Sequence, residues 1–239
     1  MPSVNARDRL IVALDLPDVA TARQLVARLG GHVTFYKVGL SLQLAPGVEG
    51  LIQSLLDGHQ KLFLDYKYYD IPETLTKAVS QAAKRGVTFL TIHGSGSLIR
   101  AAVKGRGESG MKLFTVTVLT SWDKSDLLEM GYSDHTVEEL VVFRAKMAVE
   151  AGCDGVIASG REAKAIREIS KKLLVITPGI RPDGAREDDQ KRRTTPRDAI
   201  LAGADYLVIG RPITEAADPV DATEKIVAEM QTAFDSLNG

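Results

Sequence analysis

Apolar and β-branched residues gather along this chain in short runs. Each run is followed by a longer stretch in which apolar positions recur every three or four residues. Eight runs read as strands: Leu10–Asp15, Thr34–Val38, Lys61–Tyr66, Thr88–His93, Lys112–Thr120, Asp154–Ser159, Leu173–Thr177 and Asp205–Ile209. Between them, Pro72–Arg85, Thr136–Ala151 and Pro219–Phe234 carry helical stripes, and Gly58, Gly86, Gly152 and Gly203 mark turns from a helix into the next strand. Eight alternating units with no break in composition predict one α/β domain over residues 1–239, a (β/α)8 TIM barrel. A doubly wound open sheet is the structural alternative. Two connections stand out, Ser121–His135 and Ile180–Thr195. Both are long, polar and placed after strands, where barrel loops commonly carry function.

Composition narrows the class. With 44% hydrophobic and 26% charged residues, the chain can bury a large core and is neither disordered nor fibrous. Thirty Lys and Arg balance 31 Asp and Glu, so no global field attracts nucleic acid or an anionic membrane, and any anion site must be local. The apolar run Leu10–Leu14 is cut short by Asp15 with no cleavage site behind it, and no run approaches membrane-spanning length. Cys153 is alone, which rules out an intrachain disulfide and a cysteine zinc site and fits a reducing cytoplasm.

In a barrel the active site lies at the carboxyl ends of the strands. Those ends are polar here: Asp15 closes the first run, Lys37 sits in the second, Asp65 and Lys67 in and just after the third, and His93 ends the fourth. Strand alternation points Phe63, Asp65 and Lys67 to one face, and likewise Ile11, Ala13 and Asp15, toward the barrel interior. Structural ion pairs plugging the mouth are the plain reading of any one of these charges. Four of them converging from three strands cost more than a hydrophobic plug of equal volume, which favours a site. His93 reads as a packed or hydrogen-bonded residue, and the scattered histidines do not form a metal set.

A second signal lies in Thr177-Pro178-Gly179-Ile180-Arg181-Pro182 and Ile209-Gly210-Arg211-Pro212, after the seventh and eighth runs. Barrels bind phosphate in these two loops, where glycines admit backbone N–H groups to the anion and a helix terminus adds its dipole. Arg211 would contribute a forked cationic donor.

The ordered set of motifs resembles the orotidine 5′-monophosphate decarboxylase family over nearly the whole chain. Asp65-Tyr66-Lys67-Tyr68-Tyr69-Asp70-Ile71-Pro72-Glu73-Thr74 is similar to its D-x-K-x-x-D-I-P-x-T signature, followed in order by Thr117-Val118-Leu119-Thr120-Ser121 and the two glycine turns. Tyr68-Tyr69 departs from the Phe-His of many members, between the charged positions. The resemblance implies a cytoplasmic, cofactor-free and metal-free homodimer that decarboxylates orotidine 5′-monophosphate to UMP, the last step of de novo pyrimidine nucleotide synthesis. Lys67 would donate a proton to C6 within a network of Asp65, Lys37 and Asp70, the last supplied across the dimer interface. Asp15, Lys37 and the second subunit's copy of Thr74 would hold the ribose, and Thr120 or Ser121 the pyrimidine edge. Pro178, Arg181, Gln190, Gly210 and Arg211 would form the phosphate side, with Gln190 a lid contact.

Two other readings compete. A magnesium-dependent enzyme acting on hexulose 6-phosphates shares the barrel and the D-x-K-x-x-D spacing and would use the carboxylates as metal ligands. A non-catalytic sensor of phosphorylated ligands could use the same scaffold, although a sensor has no need of a lysine between carboxylates.

Overall fold

A computed structural model describes residues 4–182 and 192–238. Among the described residues, eight parallel strands close into a barrel in sequence order: β1 (Leu10–Ala13), β2 (Phe35–Gly39), β3 (Lys61–Tyr68), β4 (Phe89–Ile92), β5 (Lys112–Val116), β6 (Gly155–Ile157), β7 (Leu174–Thr177) and β8 (Tyr206–Ile209). Pairing of β1 with β8, Leu10 opposite Leu207, completes the closure and excludes the open doubly wound sheet.

The period of two along the strands divides the core. Ile11, Ala13, Phe35, Phe63, Phe89 and Phe114 point inward and pack on one another. Leu10, Val12, Tyr36, Val38, Leu62 and Leu64 point outward into the larger layer beneath the helices. Inside, the ring centroids of Phe35 and Phe89 lie 4.8 Å apart, and those of Phe89 and Tyr206 5.1 Å apart, both edge to face. Arg9 stacks on Tyr206 below them. Burying such a ring contributes about 1.5–3 kcal/mol, so this aromatic plug closes the amino-terminal half of the barrel and leaves the polar residues at its other mouth.

Helices form where the sequence supplies both a stripe and a start signal. Pro72–Lys84 begins with Pro at the position whose missing N–H costs nothing and buries Leu75, Val79 and Ala82. Val137–Glu150 starts with a capping box between Thr136 and Glu139. The helices Pro72–Lys84 and Gly96–Arg106 pack so closely that a Cβ on Gly105 would lie 2.3 Å from the Thr76 carbonyl oxygen.

Several expected boundaries move. β5 stops at Val116, and 117–121 is irregular chain. β1 stops at Ala13, so Asp15 stands beyond it, as His93 stands beyond β4. β3 runs two residues further, to Tyr68. The expected loop Ser121–His135 contains a short helix, Lys124–Glu129, begun by a capping box between Asp123 and Asp126. The connection after β7 is pinned at its ends by the bridge between Ile180 and Thr194. No helix among the described residues is long and apolar enough to cross a membrane.

Candidate active site

The four charges expected at the mouth meet in a linear chain. Lys37 Nζ donates to both oxygens of Asp15, at 2.9 and 3.0 Å, and lies 3.4 Å from Asp65 Oδ2. Lys67 Nζ donates to Asp65 Oδ1 at 2.9 Å. Lys37 and Asp65 have 7% and 17% of their side chains exposed, while Asp15 and Lys67 at the two ends are 51% and 34% exposed, so the chain is buried at its middle. Burial pushes the Asp65 carboxyl up, but the Lys37 and Lys67 ammoniums, with hydrogen bonds from Lys67 and Thr91, hold it below the usual carboxylate range. Burial likewise pulls Lys37 down, yet Asp65 and Asp15 bring its ammonium net above the ordinary lysine value. Removing one member of such a buried set costs about 3–5 kcal/mol because its partner stays charged.

Two backbone features make this arrangement possible. A Cβ on Gly39 would sit 2.8 Å from both Asp15 Oδ1 and Lys37 Nζ, so the glycine leaves the ion pair its space. In β3, the five residues Leu64–Tyr68 span what the three residues Leu90–Ile92 span in β4. The excess is a bulge at which Lys67 takes φ 49°, a left-handed conformation rare for a side chain of this size. Thr91 supports it: its hydroxyl accepts from the Lys67 backbone N–H at 2.9 Å and donates to Asp65 Oδ1 at 2.9 Å. Asp65 and Lys67 therefore do face the same way, but through a bulge rather than a regular pleat.

The charged chain lines a cavity of about 490 Å³, a volume suited to a nucleotide-sized ligand. Thr120 and Ser121 form part of its wall, and Pro178, Arg181, Gly210 and Arg211 line it on the β7–β8 side. Gly179 there has φ 75°, and Gly210 precedes a one-turn helix, Arg211–Thr214, the extra helix that phosphate-binding barrels place after β8. Among the described residues, no three His, Cys, Asp or Glu side chains gather so as to hold a metal ion.

The chain's fold and motifs can be matched to known proteins. The model of the orotidine 5′-phosphate decarboxylase / HUMPS family matches residues 8–226. The chain belongs to this family. The orotidine 5′-phosphate decarboxylase of Nitrobacter winogradskyi is 52% identical over 230 residues, covering 96% of this chain and 95% of that protein. One from Rhodopseudomonas palustris is 50% identical, covering 95% and 96% respectively. The crystal structure of orotidine 5′-phosphate decarboxylase from Lactobacillus acidophilus superposes with a TM-score of 0.81 at 38% identity, over 92% of this chain and 98% of that one.

Not every residue that the family resemblance singled out reaches the cavity of a single chain. Asp70 is exposed, its Oδ1 accepting from the Ile71 backbone N–H at 2.7 Å, and Thr74 is exposed in the first turn of the helix Pro72–Lys84; neither lines the cavity. Gln190 lies outside the described residues. His93 stays out of the cavity lining and packs on Tyr69 with ring centroids 5.8 Å apart; burial, then the Arg144 guanidinium, push its imidazole below the ordinary histidine value. The sequence reading did not anticipate Gly39, Thr91 or the buried Glu162–Arg192 pair. Gly39 follows Lys37 by two residues on the same strand face, and that spacing was the available signal for it.

Proposed function

We propose that this chain decarboxylates orotidine 5′-monophosphate to UMP and carbon dioxide without a cofactor, as the last step of de novo pyrimidine nucleotide synthesis. The reading is carried by one observation: Asp15, Lys37, Asp65 and Lys67 form a continuous charged chain in the same cavity as the glycine turns after β7 and β8. Family membership and relatives named for this activity add to it.

In this mechanism the bond between C6 and the carboxylate breaks, carbon dioxide leaves, and the electron pair remains at C6. No neighbouring group delocalises that pair well, so stabilisation must be electrostatic. Lys67, anchored on Asp65 and aimed by the bulge, faces C6, stabilises the developing charge and gives it a proton; the resulting amine regains its proton from solvent. Asp15 and Lys37 hold the ribose hydroxyls, and Thr120 or Ser121 the pyrimidine edge. The phosphate sits against Pro178, Arg181, Gly210 and Arg211, and Gln190 is assigned to it by the family resemblance alone. Remote binding of that phosphate contributes to the barrier reduction at C6.

The active form is a homodimer in which Asp70 and Thr74 of one copy enter the site of the other. Support comes from their exposure in a single chain and from the exposed apolar side chains that flank Asp70, Tyr69 at 68% and Ile71 at 66%.

The test is to add orotidine 5′-monophosphate to the protein in EDTA and follow the pyrimidine absorbance. Turnover in EDTA is the expected result. No turnover there, with activity on a hexulose 6-phosphate appearing when magnesium is added, would overturn the reading in favour of the metal-dependent branch of barrels.

A further inference from the structure

The cavity wall at Val118–Ser121 has no strand to support it, because β5 ends at Val116. Backbone carbonyls leaving a sheet into a buried loop need donors. Here three consecutive carbonyls find them on two arginines. Arg144 donates through Nη1 to Thr117 O, and through Nη2 to the Tyr132 hydroxyl at 2.9 Å. Arg192 donates through Nη2 to Val118 O at 3.2 Å and to Leu119 O at 2.8 Å. The other arm of the Arg192 guanidinium donates to Glu162 Oε1 at 2.7 Å, with 8% and 7% of the two side chains exposed.

This pair is not part of the cavity lining. It joins three loops: Glu162 follows β6, Arg192 belongs to the connection after β7, and the carbonyls follow β5. Apolar side chains of similar volume commonly match or exceed the stability of a buried ion pair. They could not take two adjacent carbonyls, whereas the planar guanidinium fork serves a carboxylate and both carbonyls at once.

We infer that Arg192 is a positioning residue: held by Glu162, it fixes the base-side wall Val118–Ser121 against the loops of β6 and β7, and so governs recognition of the pyrimidine without touching it. This rests on the proposed function only in assigning that wall to the base. The geometric part has its own readout, because Trp122 is the single tryptophan of the chain, packs against the core, and donates its backbone N–H to Leu119 O at 2.9 Å.

The experiment compares Arg192→Met, Arg192→Lys and the double variant Glu162→Gln/Arg192→Met with the wild type. The double variant removes the stranded carboxylate that could unfold the single one. Measurements are acrylamide quenching of Trp122 and the dissociation constants of UMP and of ribose 5-phosphate. Loss of the clamp should make Trp122 more accessible in the double variant and in Arg192→Lys. It should weaken UMP about tenfold or more, the scale of one charge-assisted hydrogen bond, while ribose 5-phosphate binding stays within about twofold. Equal weakening of both ligands would reduce Arg192 to general structural support, and unchanged Trp122 quenching with unchanged UMP binding would remove the role altogether. If the wild type binds ribose 5-phosphate but not UMP, the proposed function fails; Trp122 quenching still decides whether the clamp exists.

Discussion

Thr91 on β4 holds Lys67 on β3 in a backbone conformation that Lys67 would not adopt alone. The Lys67 N–H donates to the Thr91 hydroxyl at 2.9 Å, and the hydroxyl in turn donates a hydrogen bond to Asp65 Oδ1 at 2.9 Å. A left-handed residue of this kind costs on the order of 1–3 kcal/mol, sustained by its surroundings. The strain sits at the residue whose side chain the proposed mechanism directs to C6.

Thr91→Val tests that support. It strands one backbone N–H and removes one hydrogen bond from Asp65, at a cost of about 1–3 kcal/mol of stability. The activity should fall mainly in kcat, since the lysine loses its aim while the ribose and phosphate contacts remain. Thr91→Ser, which keeps the hydroxyl, should behave much like the wild type. A Thr91→Val enzyme with wild-type kcat would show that the bulge does not aim Lys67.

Gly39→Ala should disturb the neighbouring pair. The added methyl would lie 2.8 Å from Asp15 Oδ1 and Lys37 Nζ, so one of them must move out of a bonded geometry. Overpacking of this kind costs about 1–3 kcal/mol. Because Asp15 and Lys37 are assigned to the ribose, the change should appear as a raised KM in steady-state kinetics, and an unaltered KM would count against that assignment.

The barrel shape and the order of strands were legible from the alternation of short apolar runs, and a period of two put Asp15, Asp65 and Lys67 on interior faces, whereas Lys37 could be placed only at the mouth. The bulge was not, because nothing in Asp65–Tyr68 signals two extra residues against β4; the pattern of inward and outward side chains survives an even-numbered insertion. The end of β5 was overrun because Val118 and Leu119 continue an apolar run although their carbonyls bond to arginine rather than to β6. Arg192 could not be distinguished from its basic neighbours Lys191 and Arg193 by composition, because its burial is a property of the folded chain.

A stability effect independent of the site is expected at the opposite end of the barrel. Glu224 accepts from Arg7 and His32, which hold its carboxyl down at about 2. Its unfolded value is about 4.3, so its contribution is fully present above that pH and is lost as the pH falls through the folded value. Glu224→Gln should therefore be less stable than the wild type at pH 6, with the difference closing as denaturant titrations are repeated toward pH 2. A difference that persists at pH 2 would point to packing rather than charge.

Complementation probes the dimer. Lys67→Ala and Asp70→Ala chains should each be inactive alone. Mixed and allowed to exchange, they form heterodimers in which one of the two sites has both an intact Lys67 and an intact Asp70. Activity should return on mixing. Its absence, with exchange verified by mass, would place Asp70 in the site of its own chain.

The most direct measurement of the central claim is turnover of orotidine 5′-monophosphate in EDTA by Lys67→Ala beside the wild type, with UMP binding determined for both. The wild type should decarboxylate the substrate, and Lys67→Ala should lose nearly all turnover while still binding UMP through the ribose and phosphate contacts. Turnover by Lys67→Ala equal to that of the wild type would contradict the role of Lys67 as the proton donor.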